Sequence, residues 1–377
     1  MKRLIASPFL FLVACGSSTT APPDAGADAV VVDVSVDAPV DGNTPYEQAV
    51  LAAEWTKLTT GPSVGGGAKQ DDIFFLDAMT GYTASGPDYA IWETTNGGTS
   101  WTSVFNKTGT YFRSIAFLDA QHGFAGNLGA GLTPQITDTN VLYGTANGGS
   151  TWSAVTTITG PAASGICNLT IIDSTHLVAV GRTNGPANML VSSDAGATWT
   201  SLDLSAQFSM LIDARFTSPT DGILVGMNQS SVCSVFQTTD GGQTLNQVFA
   251  STTPNSLCWK ISFSSDLVGY LAIQDTTVGP PTFAKTMDGG TTWTELPLPA
   301  QGSAKTAYPA IGIGFITDNV GWVSPDDPTL PTYRTSDGGN TWTVDPTLQS
   351  PINRFRFVDM NTAYAIGAAV WKLSITF

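Results

Sequence analysis

One octapeptide recurs six times along this 377-residue chain. The copies are Thr94 to Trp101 (TTNGGTSW), Thr145 to Trp152 (TANGGSTW), Ser192 to Trp199 (SSDAGATW), Thr238 to Leu245 (TTDGGQTL), Thr286 to Trp293 (TMDGGTTW) and Thr335 to Trp342 (TSDGGNTW). Their third positions, Asn96, Asn147, Asp194, Asp240, Asp288 and Asp337, are 46 to 51 residues apart, the period of a four-stranded propeller blade rather than of a helical repeat. The chemistry of the octapeptide is that of a self-contained hairpin. An Asp or Asn side chain accepts from the amides of its own turn, glycine permits positive φ, the hydroxyls add local bonds and the Trp folds back as an apolar plug. Each box is therefore expected to be structural.

A second pattern sets the number of blades. An apolar-x-aromatic strand is followed six residues later by glycine: Ile73 to Phe75 with Gly81, Ile115 to Phe117 with Gly123, Ile261 to Phe263 with Gly269, and Ile313 to Phe315 with Gly321. Weaker copies centre on Ile171, Phe216 and Phe357, making seven first strands against six boxes. The last blade lacks an outer strand, and the segment Trp55 to Thr60, which matches the strand after each box, precedes any first strand. The expectation is an all-β, seven-bladed propeller of four-stranded antiparallel blades over residues 53–377, its ring closed by that N-terminal strand joining the C-terminal blade.

Composition agrees. Charged residues are 12% of the chain, about half the usual globular share of ~25%, while glycine numbers 39 and aromatics reach 10%. The formal charge of −15 removes nucleic acid as a default partner, because phosphate binding relies on clustered Lys and Arg.

Lys2 and Arg3 precede the apolar stretch Leu4 to Ala14, which is too short to span a bilayer and reads as an export signal over residues 1–14. Its end, Leu12-Val13-Ala14-Cys15, resembles the lipobox of bacterial lipoproteins. That resemblance implies cleavage before Cys15 and acylation of its thiol, so the only expected membrane contact is a lipid anchor. Cleavage would take the net charge to −17. Residues 15–52, rich in Ala, Pro, Asp and Val, read as an acidic tether. Gly16 does not match the Asp that commonly marks inner-membrane retention, so the expected location is the outer membrane, on either its periplasmic or its surface side.

The octapeptide resembles the Asp-box, or BNR repeat, of sialidases, sortilin-type receptors, certain glycoside hydrolases and photosystem II assembly-factor-like propellers. The one-box-per-hairpin, seven-blade layout most resembles the last family. The resemblance implies partner binding. It does not imply photosystem II itself, since those factors engage their targets with an arginine-rich patch and this acidic chain has only six arginines beyond the signal.

Residues at the same place in every blade are architectural, so functional candidates should break the repeat. His122 and His176 share one slot and make no metal-ligand constellation; no GxSxG elbow is present; and none of Glu47, Glu54, Glu93 and Glu295 lies on an inner strand. No catalytic residue, metal or cofactor is nominated. What breaks the repeat is charge on inner strands: Asp72, Asp213, Lys260 and Arg354 three residues before the key position, and Arg215 and Arg356 one before it. These form a candidate channel or binding set. Pairing is expected between Asp213 and Lys260 and between Arg354 and Asp72. Cys233 and Cys258 should lie on one face of adjacent blades and form a disulfide, with Cys167 free. The connections near 127–140, 275–282 and 324–332 vary in length and carry Pro, Asp and Thr, and are expected to be either a binding surface or unselected spacers. The preferred reading is a monomeric, non-enzymatic scaffold for an envelope protein. The alternative is a carbohydrate-active propeller, either a module binding polysaccharide or a glycoside hydrolase.

Overall fold

The computed structural model describes residues 43–64, 68–275, 281–299 and 310–377. Seven antiparallel sheets stand around an axis, and six run from an inner to an outer strand in chain order. Blade one spans 72–106, blade two 112–154, blade three 168–203, blade four 208–250, blade five 256–297 and blade six 310–349. Blade seven is built from 352–374 and is completed by Trp55–Lys57, with Trp55 opposite Leu373 and Lys57 opposite Trp371. The expected ring closure is thus present, over three residues of the segment 55–60.

Burial falls from axis to rim. In blade two Phe112–Phe117 and Gly123–Asn127 are buried throughout, Leu142–Thr145 nearly so, and Ser153–Ala154 is exposed to half-buried. Blades pack face to face through those inner strands, so apolar burial is continuous around the ring rather than confined to one centre. The glycine of the second pattern has a steric cause. A Cβ on Gly81, Gly123, Gly222, Gly269 or Gly321 would lie 2.4 to 2.6 Å from the ring of Phe75, Phe117, Phe216, Phe263 or Phe315. The aromatic of the first strand lies flat across the start of the second, which only glycine allows.

Two features depart from the expected layout. Residues 45–52, assigned above to the tether, form helix α1 (Pro45–Ala52), which a Thr44–Glu47 capping box starts. The helix is docked: Glu47 is buried and accepts from Thr317 at 2.7 Å and Asn319 at 3.0 Å, Val50 packs into the cluster around Trp55 and Trp322, and Arg334 donates to the Leu51 carbonyl. A carboxylate that looked like part of a solvated acidic run is therefore a bonded element of the core. The second departure is Ile158–Thr159, which leaves blade two and adds to the rim of blade three as a parallel fifth strand beside Trp199 and Thr200. Cys15 and residues 1–42 lie outside the described residues.

Candidate functional site

First strands begin at one end of the ring, and their opening residues meet at the axis. Asp72 of blade one and Asp213 of blade four occupy equivalent positions and do equivalent things. Each accepts from the next amide of its own strand (Ile73, 3.0 Å; Ala214, 3.1 Å) and from an amide of the following blade (Ile115, 3.1 Å; Ile261, 3.2 Å). Each thereby clamps two blades together. Arg354 of blade seven spans the axis between them, with Nε 3.2 Å from Asp72 and Nη1 3.1 Å from Asp213. Arg356 adds a contact to Asp72 at 3.2 Å and donates to the Ile73 carbonyl at 2.8 Å.

The Arg354–Asp72 contact is the one expected from sequence. Asp213, expected to take Lys260, takes Arg354 instead, because the long arginine reaches across the ring. The Lys260 amine is buried with no hydrogen-bond partner among the described residues. Burial, then the Arg354 guanidinium, pushes that amine down to about 7, against the pull of Asp213 and Asp72. For Asp72, burial opposes ionisation, but Arg356, Arg354 and Lys260 outweigh it and hold the carboxyl below its ordinary value.

A second layer was not anticipated. Arg113 pairs with Asp71 at 3.1 Å, and its guanidinium stands 4.7 Å over the Trp259 ring. The Trp259 indole donates to Asn353 at 2.9 Å, and Asn353 donates to the Asp71 carbonyl at 2.8 Å. Blades one, two, five and seven are thus tied across the axis by buried side chains. The charge that breaks the repeat fills the axis, and its partners are other parts of the same chain.

Arg215 does not join this set. It turns toward the opposite end of the ring, where its guanidinium stacks 4.3 Å over Phe263 and meets Asp266 at 3.2 Å. Cys233 and Cys258 form a disulfide between blades four and five, and Cys167 is free and buried. Burial raises the Cys167 thiol above its ordinary value in spite of the nearby Arg113. The boxes behave as hairpins. Asp194, Asp240, Asp288 and Asp337 each accept from the amide and hydroxyl of the threonine four residues on, at 2.6 to 2.9 Å, and Asn96 and Asn147 accept the corresponding amides at 2.9 Å. His122 and His176 each bind the Asp of their own turn. Three glutamates are bonded within the fold: Glu93 by Tyr82, Glu295 by Ser251 and Thr282, Glu47 as above. Among the described residues no three His, Cys, Asp or Glu side chains converge.

The two ends of the ring differ. At the box end, the turns between first and second strands of blades one to six, 76–80, 118–122, 172–176, 217–221, 264–268 and 316–320, are five residues long, and that of blade seven, 360–361, is two. At the other end, connections run from 368–369 and 350–351 to the fourteen residues of 128–141. The loop 128–141 is held in place: Arg182 donates to the carbonyls of Leu128, Gly129 and Ala130, the Asn127 side chain to those of Asp138 and Asn140, and the Thr137 amide to Gly109. Beside it Lys69 bridges to Asp326 at 2.7 Å. Sequence pointed to these connections by their length but gave no sign of what orders them.

Comparison with known proteins agrees with this architecture. The sequence model of the family described as photosynthesis system II assembly factor YCF48 matches residues 191–304. Among solved structures, YCF48 bound to D1 peptide is 16% identical with a TM-score of 0.60, covering 86% of this chain and 97% of that one. YCF48 from Cyanidioschyzon merolae is 15% identical with a TM-score of 0.60, covering 85% and 99%. The GH74 xyloglucanase from Xanthomonas campestris is 14% identical with a TM-score of 0.61, covering 85% of this chain and 53% of its own. At these identities the likeness shows the fold. No curated protein matches the sequence.

Proposed function

We propose that this chain is a non-enzymatic scaffold of the cell envelope, anchored by lipid at Cys15, which binds a protein partner through the end of the ring that carries the variable connections. The observation that carries the reading is the asymmetry of the two ends: first-to-second-strand turns of five residues or fewer and near-identical boxes at one, and at the other connections that range from two residues to an ordered loop of fourteen. Loops of unequal length on a rigid frame are where recognition concentrates, and a loop already held by Arg182 and Asn127 loses little freedom on binding. The peptide bound by the structurally similar YCF48 supports a propeller of this kind acting on polypeptides. The xyloglucanase likeness supports the second reading, a carbohydrate-active propeller, which here lacks a nominated carboxylate pair.

The test is site-specific photo-crosslinking in envelope extract, with the reactive group at Thr133 in the long loop of blade two or at Ser150 in the box of the same blade. Both are exposed and lie at opposite ends. A defined protein adduct from position 133 alone, persisting at about 0.5 M salt where charge contacts are screened, is the expected result. Adducts from position 150 alone, or retention by polysaccharide with no adduct, would overturn it. Loss of acyl labelling in Cys15→Ser tests the anchor separately.

A further inference from the structure

The junctions between blades at the box end follow one plan, and one junction departs from it. The residue after the second-strand glycine, or after Leu177 and Ala363 which stand in its place in blades three and seven, projects toward the next blade. At three junctions it is a tyrosine stacked on the next blade's first-strand phenylalanine: Tyr82 on Phe117 at 4.0 Å, Tyr270 on Phe315 at 3.3 Å and Tyr364 on Phe75 at 3.8 Å. Their hydroxyls donate to backbone carbonyls of that blade, namely Gly148, Asp318 and Gly97. Phe124 and Trp322 fill two further junctions, against Trp199 and Phe357. Between blades three and four the residue is Val178, and Met189 supplies the bulk, its Cε lying 2.1 Å from where a Cβ of Gly242 would be.

Between blades four and five the equivalent residue is Ile223, paired with Gln237 as Tyr82 is with Glu93. No ring is supplied there. The consequence is a pocket of about 450 Å³ lined by Arg215, Asp221, Ile223, Gln237, Thr239, Asp266 and Gly289, within the roughly 300–1,000 Å³ of small-ligand sites. Arg215 takes the stacking position over Phe263 that tyrosines take elsewhere, so the pocket presents a guanidinium and an aliphatic wall. Gly289 is the box glycine equivalent to Gly148 and Gly97, the two whose carbonyls receive a tyrosine hydroxyl. Leu267 and Met287, two of the five large apolar side chains exposed among the described residues, stand on the two turns that supply Asp266 and Gly289.

We propose that this pocket receives one aromatic side chain, a tyrosine, from a partner polypeptide, which enters between blades four and five and lies against Arg215, whose other face covers Phe263. The Arg215 plane contacts the ring, the Gly289 carbonyl accepts from its hydroxyl, and Leu267 with Met287 form the apolar rim over which the flanking peptide lies. Asp221 and Asp266 disfavour an anionic ligand, because their carboxylates balance Arg215. The site is at the opposite end of the ring from the surface proposed above, and neither depends on the other.

Saturation-transfer NMR on the full chain tests it, with N-acetyltyrosinamide as probe and N-acetylleucinamide as comparison. The tyrosine probe should respond several-fold more strongly than the leucine probe. The response should vanish in Ile223→Tyr, whose own ring fills the space, and in Thr239→Trp, at an exposed box position that other copies fill with Thr, Ala, Ser or Met. Arg215→Met, which keeps the stem and removes the plane, should weaken it about threefold to fivefold. Equal responses in wild type and in whichever blocking variant folds would overturn the proposal. So would equal responses to the two probes, or selective binding of methyl glucoside in place of the tyrosine probe.

Discussion

The box end of the ring is stabilised by repetition, and the opposite end by contacts that occur once. At the box end the same hydrogen bonds recur blade after blade, each between residues four apart. At the other end stand a single disulfide, a single arginine gripping three carbonyls, and an axial network that draws on four or more blades. The lesson is that a repeat protein can hold one face constant at low informational cost and vary the other, provided that unique long-range bonds replace the order which repetition no longer supplies. The variable end should therefore separate into residues that hold the ring and residues that only face outward, and substitutions can draw the line.

The largest effect is expected at Arg354. Its removal leaves Asp72 and Asp213 buried with fewer counter-charges, and breaking a buried pair in this way costs about 3–5 kcal/mol. Arg354→Ala should lower the melting temperature strongly in calorimetry while the fraction that stays folded keeps its partner. Loss of binding at unchanged stability would move Arg354 from the frame to the recognition surface. Replacing both Cys233 and Cys258 by alanine comes next. They are 25 residues apart, and release of a loop of that size costs about 3–4 kcal/mol in the chain-entropy view. Urea unfolding of oxidised wild type against the double variant measures it, and an unchanged midpoint would show that blades four and five do not need the tie.

This division explains what could be read in advance. The boxes, the seven first strands and the closing strand were legible because their determinants are local: Asp194 binds Thr198, and Phe117 lies over Gly123. The axial network was half legible. Unusual charge on inner strands marked Asp72, Asp213, Lys260, Arg354 and Arg356 and gave the pair of Arg354 with Asp72, yet it did not give Arg354 with Asp213, because these are 141 residues apart and only the closed ring brings them together. Trp259 and Asn353 gave no signal, being neutral, and 94 residues separate them. The pocket beside Arg215 was illegible for a different reason: it arises from Ile223 standing where other blades place a ring, which becomes visible only when the register is known.

A smaller effect is expected from Lys260, and its sign is determined. The amine faces Arg354 and Arg113, which oppose its protonation, and Asp213 and Asp72, which favour it. In the unfolded chain it keeps its proton to about pH 10.4, whereas in the folded chain it releases it near 7. Between those values the unfolded state binds more protons, so stability rises with pH, by about 1.4 kcal/mol per unit at most. Below pH 7 the full cost of burying the charge is present. Subtracting the unfolding free energies of Lys260→Met from those of wild type at pH 7, 8 and 9 should give a rising line. A flat or falling one would mean that the axis solvates the ammonium.

The smallest effect on stability is expected where the effect on binding is greatest. Thr133 and Gln135 are exposed on the long loop of blade two, outside the contacts of Arg182 and Asn127 that hold it. Surface substitutions away from such contacts stay within about 0.5 kcal/mol. Thr133→Arg together with Gln135→Arg should leave the melting curve almost unmoved and abolish capture of the partner crosslinked from that end. The matched change at Ser150 in the box of the same blade should alter neither. If the loop variant binds as wild type does, the length of 128–141 serves only to cover Leu128 and Ile136, which it buries, and the recognition surface must be sought among the shorter connections around Lys69 and Asp326. If the Ser150 change is the one that abolishes capture, the two ends exchange roles, and the constant face with its pocket between blades four and five becomes the binding surface.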